Sequence, residues 1–244
     1  MATEVQTSTA PAAPRADSSP GGPRDVRHTR RLIAATLLPI PAVAVAVLRG
    51  VWPAFSESDT AGALGAIARS PVAEQAVVWL STVIALTMVP ALLAAARLAR
   101  RRRPALAMIT AGVNLVAWLS TTALYSADVM ALVAARPEYD QAQLVPYLDA
   151  VAAHPVNAVG LGGFVLGHIV GMILLGAALW RIIPRWASVA LIVSQPLHFV
   201  AYVVLGLQPL DAFSWALTAV GFIACSVAVL RTPDSDWDLA PEPR

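Results

Sequence analysis

The chain has 244 residues, 57% of them hydrophobic and only 13% charged, with a formal charge of +2. A soluble domain carries about 25% charged residues, so a wholly water-exposed globule is excluded, and so small a charge beside apolar runs describes no nucleic-acid surface. All 17 cationic side chains are arginine, which reflects codon usage rather than function, and the single Cys225 rules out an intrachain disulfide, a CxxC redox pair or a cysteine zinc framework.

Residues 1–31 are rich in Ala, Pro, Ser, Thr and Gly without apolar periodicity, and are expected to form a disordered cytoplasmic tail. Six uncharged runs follow: 32–48, 75–96, 105–127, 155–180, 186–210 and 212–230. A helix rises about 1.5 Å per residue, so about 20 residues cross the hydrocarbon core. The first run reaches that length by extending through Arg49 to Trp52. A closed β-barrel would require alternation over about ten residues per strand; these runs are continuous. The expected fold class is therefore all-α: a polytopic bundle of six transmembrane helices over 32–231, with short interfacial helices in the outer loops. The long leader makes the first run a retained anchor rather than a cleaved signal peptide.

In the first outer loop, Ser58-Asp59-Thr60 is placed to cap a short helix through Ile67, ended by Pro71. In the second, Leu144, Leu148 and Val151 recur at helical spacing. The third run keeps Asn114, Trp118, Thr121, Tyr125 and Asp128 on one face; Asp128, at its outer end, reads as a solvated carboxylate. The fourth carries Gly163, Gly167 and Gly171 at intervals of four, a packing seam that lets helix backbones approach, and His168 near its middle. In the fifth, Ser188, Gln195, His198 and Tyr202 share a face. The short turn at 181–185 makes the fourth and fifth runs antiparallel neighbours, so His168 and His198 can share a depth and a cavity. Residues 232–244 form a short acidic tail, expected to be mobile and cytoplasmic.

Arginines set the direction. Fourteen fall before the first run, after the second, between the fourth and fifth, or after the sixth; Arg49, Arg69 and Arg136 fall on the other side. The positive-inside rule places the rich side, with both termini, in the cytoplasm, and the membrane is the cytoplasmic (inner) one. A shift of 84 residues superposes Ala66, Pro71, Met88, Arg97 and Arg101 on Ala150, Pro155, Met172, Arg181 and Arg185. Two similar hairpins result, with Asn114 opposite His198. The prolines at 71 and 155, the cluster at 97–103 and the segment 180–202 with Pro184-Arg185-Trp186 resemble small multi-pass bacterial membrane families of unknown function. That resemblance implies no activity and transfers no functional residue.

There is no phosphate loop, no His-Glu-x-x-His helix and no Gly-x-Ser-x-Gly elbow. What remains is a set of polar residues inside apolar runs: Asn114, His168, Gln195, His198 and Tyr202. Facing lipid would leave them unpaired, so they point inward. Desolvation keeps the histidines neutral. Three readings compete: a polar core fixing helix register, a pocket for a small molecule, quinone or proton relay, and a bis-imidazole haem b site through His168 and His198. The expectation is a non-enzymatic integral membrane protein that binds a small apolar ligand or a membrane partner and requires no cofactor or metal. Its partners are the lipid bilayer, a membrane protein or further copies of itself, and not nucleic acid. The alternatives are a redox or lipid-modifying enzyme using His168 and His198, and an oligomeric small-solute transporter.

Overall fold

A computed structural model describes residues 26–121 and 125–237, and among them every named element is helical. The tail expected over 1–25 and the last part of the acidic tail lie outside the described residues. Helices α1 (Arg27–Leu37) and α2 (Pro39–Val51) run on through Leu38, whose N–H reaches Ala34 O at 3.2 Å. Helical structure thus begins at Arg27, inside the stretch expected to be disordered. α4 (Pro71–Ala99) and α8 (Pro155–Ala178) both start on a proline, whose missing N–H would be unbonded there anyway. These two prolines stand 84 residues apart, so the helix boundaries follow the repeat. α9 (Arg185–Phe199) contains Pro196, which deletes one ladder bond; the helix continues as a π turn over Val200–Val204. Gly206, at φ +61°, turns the chain into α10 (Gln208–Arg231).

Among the described residues, five helical stretches are long and apolar enough to cross a membrane: Arg27–Val51, Pro71–Ala99, Pro155–Ala178, Arg185–Val204 and Gln208–Arg231. The third run departs from the expected single span. It divides into α5 (Pro104–Leu119), of 16 residues, and α6 (Tyr125–Ala134). Ser120 Oγ donates to Val116 O at 2.8 Å and Thr121 Oγ1 to Trp118 O at 2.7 Å. Such local bonds offer the backbone an alternative to the helical ladder. The resulting helix rises only about 24 Å, against about 30 Å of hydrocarbon.

The long helices form a closed ring. α2 packs on α4, α4 on α5, α5 on α8, α8 on α9, α9 on α10, and α10 back on α2. Glycine permits the closest approaches. A Cβ on Gly167 would stand 2.7 Å from Ala117 Cβ, and one on Gly171 2.6 Å from the Asn114 amide, so the seam of α8 is filled by α5 within the same chain. At one end α3 (Thr60–Arg69), α6 and α7 (Gln141–Ala152) form a small separate core around Leu64, Ile67, Ala134 and Ala135. Asp59 and Asp140 cap α3 and α7 through their side chains. At the other end lie most of the arginines. Arg31 donates to Leu230 O at 2.7 Å and to Asp234 Oδ1 at 2.6 Å, covering carbonyls that the end of α10 leaves open. Trp237, 4% exposed, lies under the Arg97 guanidinium at 5.5 Å, so the start of the acidic tail packs on the bundle.

Candidate functional site

Inside the ring, toward the end covered by α3, α6 and α7, lies a cavity of about 390 Å³. Most of its wall is aliphatic or aromatic, supplied by α2, α4, α5, α8, α9 and α10. Its polar residues include Arg49, Ser81, Thr121, Asp128, His168, His198 and Tyr202. The volume falls in the range of small-molecule sites, which are apolar with a few placed polar groups.

His168 occupies the deep part. Its ring stacks on Phe164 at 4.4 Å, and the ring of His198 stands 5.6 Å away. Nδ1 lies 2.7 Å from Phe164 O. A carbonyl only accepts, so Nδ1 carries the hydrogen, and Nε2 of the neutral imidazole holds a lone pair. That Nε2 has no partner, although His168 is 1% exposed. Nearby, the indole nitrogen of the largely buried Trp118 also lacks a partner, as does Nη2 of Arg49. Buried polar groups left this way are uncommon, because each gives up its bonds to water without replacement. Three residues that line the cavity, His168, Trp118 and Arg49, therefore each carry a buried polar atom without a partner.

A second layer holds these residues in place. Asp211, on the first turn of α10, is fully buried; one carboxylate oxygen accepts from Arg49 Nε and the other from His198 Nδ1. Trp215 Nε1 lies 3.2 Å from the same His198 nitrogen. The N-terminal position of Asp211 suits its charge, since the helix dipole favours an anion there. Arg49 sits among three aromatic faces, at 5.0 Å from Trp52, 5.3 Å from Phe55 and 4.2 Å from Tyr202. Gln208 ties α10 to the end of α2, donating to Arg49 O at 2.9 Å and Trp52 O at 3.0 Å. On the other wall, Ser81 donates to Asp128 Oδ2 at 2.8 Å.

Of the residues singled out from sequence, His168, His198 and Tyr202 meet at this cavity. Asn114 and Gln195 do not. Asn114 Nδ2 donates to Thr110 O at 2.9 Å in the seam between α5 and α8, and Gln195 Nε2 donates to Thr218 Oγ1 at 2.8 Å between α9 and α10. Asp128, read as a solvated helix end, is partly buried on the cavity wall. Arg49, Asp211 and Trp215 were missed. A signal existed: Asp211 is the only charge in residues 186–230, and Arg49 falls within the length the first run needs to span. Both were read as ends of runs rather than as contents of the bundle.

Among the described residues, no group of three or more His, Cys, Asp or Glu converges on a point that would hold a metal ion. No protein-family model, curated protein or solved structure matches the chain.

Proposed function

We propose that this is a six-span protein of the cytoplasmic membrane, with both termini cytoplasmic, that binds a small apolar ligand carrying hydroxyl or carbonyl oxygen in the cavity between its histidines. The six-span reading is supported by the place of α5 in the closed ring and by its lipid-like outer face, where Met108 is 73% and Val116 65% exposed. A short helix can span by local thinning of the bilayer at modest cost. The arginine distribution supports the orientation. One observation carries the ligand reading: unused polar atoms of His168, Trp118 and Arg49 on residues lining a mostly apolar cavity.

The redox alternative draws on the same pair of histidines, since a quinone would accept from the donors and its quinol would donate to the acceptor. Haem b is less well supported. The His168 face is covered by Phe164 at 4.4 Å and the two rings stand 5.6 Å apart, so a macrocycle would have to displace these side chains. The test is native mass spectrometry and solvent extraction of protein purified in mild detergent, with an absorption spectrum recorded before and after reduction. A retained small oxygenated apolar molecule, absent from His168→Ala and Trp118→Phe but present in Arg136→Gln, is the expected outcome. A spectrum that changes on reduction assigns the cavity to a redox cofactor. Retention of bulk phospholipid alone by wild type would sink the ligand reading.

A further inference from the structure

A second cavity, of about 810 Å³, lies at the opposite end, between α4, α10 and the turn joining α8 to α9. Arg97, Arg100, Arg101, Arg102, Arg181 and Arg231 line it. Among the described lining residues Asp236 is the only acid, so the wall is strongly cationic. Arg97, Arg100 and Arg101 take part in further interactions within the protein, so the charge that the cavity offers a ligand is that of Arg102, Arg181 and Arg231 beside Asp236. Positive-inside arginines alone would scatter around the bundle; here they surround one concavity.

The cavity has a second, different wall. Val220, Ile223, Ala224 and Val227 follow one another along α10 at helical spacing, ending one turn before Arg231. Val220, Ile223 and Val227 are exposed, at 37%, 46% and 38%, while Ala224 is buried, so the stripe is open at three of its four residues. From Arg231 to Val220 it extends about 16 Å along the helix axis. A cationic bowl continuous with an apolar track of that length is complementary to an amphiphile and not to a free inorganic anion. Guanidinium forks match phosphate oxygens in pairs, and Trp186, 62% exposed on the rim, is the residue type that settles at the headgroup level.

We infer that this cavity is a specific site for an anionic phospholipid, with its phosphate among the arginines and one acyl chain along the α10 stripe. The headgroup bears no compensating ammonium, because the wall offers cations and little to bind one. The site lies at the end of the bundle away from the histidine cavity and does not depend on what occupies that cavity.

The experiment uses the full-length protein in nanodiscs of equal phosphatidylglycerol and phosphatidylcholine, with retained lipid measured by native mass spectrometry. Phosphatidylglycerol is expected to remain bound in preference to phosphatidylcholine. At about 1 kcal/mol per arginine near the surface, Arg181→Gln combined with Arg231→Gln should weaken its retention about 30-fold. Arg69→Gln combined with Arg136→Gln, at the other end, should leave it unchanged. Equal retention of the two lipids by wild type overturns the proposal without recourse to any variant. Displacement of phosphatidylglycerol by millimolar inorganic phosphate would also overturn it, since the site would then recognise the anion alone.

Discussion

Asp211 decides the organisation of the histidine cavity, because one buried carboxylate restrains both Arg49 and His198. A buried ion pair contributes little net stability compared with an apolar pair, yet breaking it leaves a charge without a partner. Asp211→Ala should therefore lower stability by about 3–5 kcal/mol, and the double change Arg49→Met with Asp211→Leu should recover most of that loss. Equilibrium unfolding in mixed detergent measures both; a single variant as stable as wild type would show that Arg49 is solvated. A milder electrostatic contact lies at the opposite end. Hydrogen bonds from Arg31 and His28 hold the exposed Asp234 carboxyl below the usual carboxylate range. A lowered folded value means that the contact is complete above about pH 4 and is lost as pH falls through that value. Hydrogen exchange across residues 232–237, corrected for intrinsic rates, should show protection falling from pH 6 to pH 3 in wild type, and no such step in Asp234→Asn.

Among the helices, α8 is held by glycines whose neighbours differ sharply. A Cβ on Gly167 meets Ala117 at 2.7 Å, whereas one on Gly162 meets nothing within 4 Å. Gly167→Ala should cost about 1–3 kcal/mol by forcing α5 and α8 apart. Gly162→Ala should be neutral or slightly stabilising, since alanine is the better helix former. Equal effects in a thermal unfolding comparison would contradict the packing described for this seam. The seam also explains why Asn114 faces Gly171 instead of the cavity: the small residue leaves space that the amide fills. Where α5 ends, Ser120 and Thr121 turn their hydroxyls onto carbonyls of their own helix.

For the whole molecule, the closed ring of helices makes topology the decisive question, because α5 is short for a span yet occupies a full place in the ring. Cys225 is buried, so single cysteines added elsewhere can be labelled with little background. With six spans, Ala61→Cys and Glu138→Cys should react with a membrane-impermeant maleimide in intact cells, and Ser235→Cys only after permeabilisation. If α5 does not cross, Glu138→Cys will be protected and Ser235→Cys will react from outside.

Much of this architecture is legible from residue order alone, for physical reasons. Apolar runs of sufficient length specify helices that can cross a bilayer, proline and aspartate mark where α3, α4 and α8 begin, and glycines four apart mark a close seam. His168 and His198 could be paired because a short turn joins their helices. What residue order could not supply was the closure of the ring, which depends on contacts between α2 and α10 about 160 residues apart in the chain. Only that closure brings Arg49 to Asp211, turns two apparent run ends into a buried pair, and separates His168 and His198 from Asn114 and Gln195. Local composition and apolar run length determined the helices; the tertiary structure decided which polar groups share a cavity, because that depends on which helix faces meet.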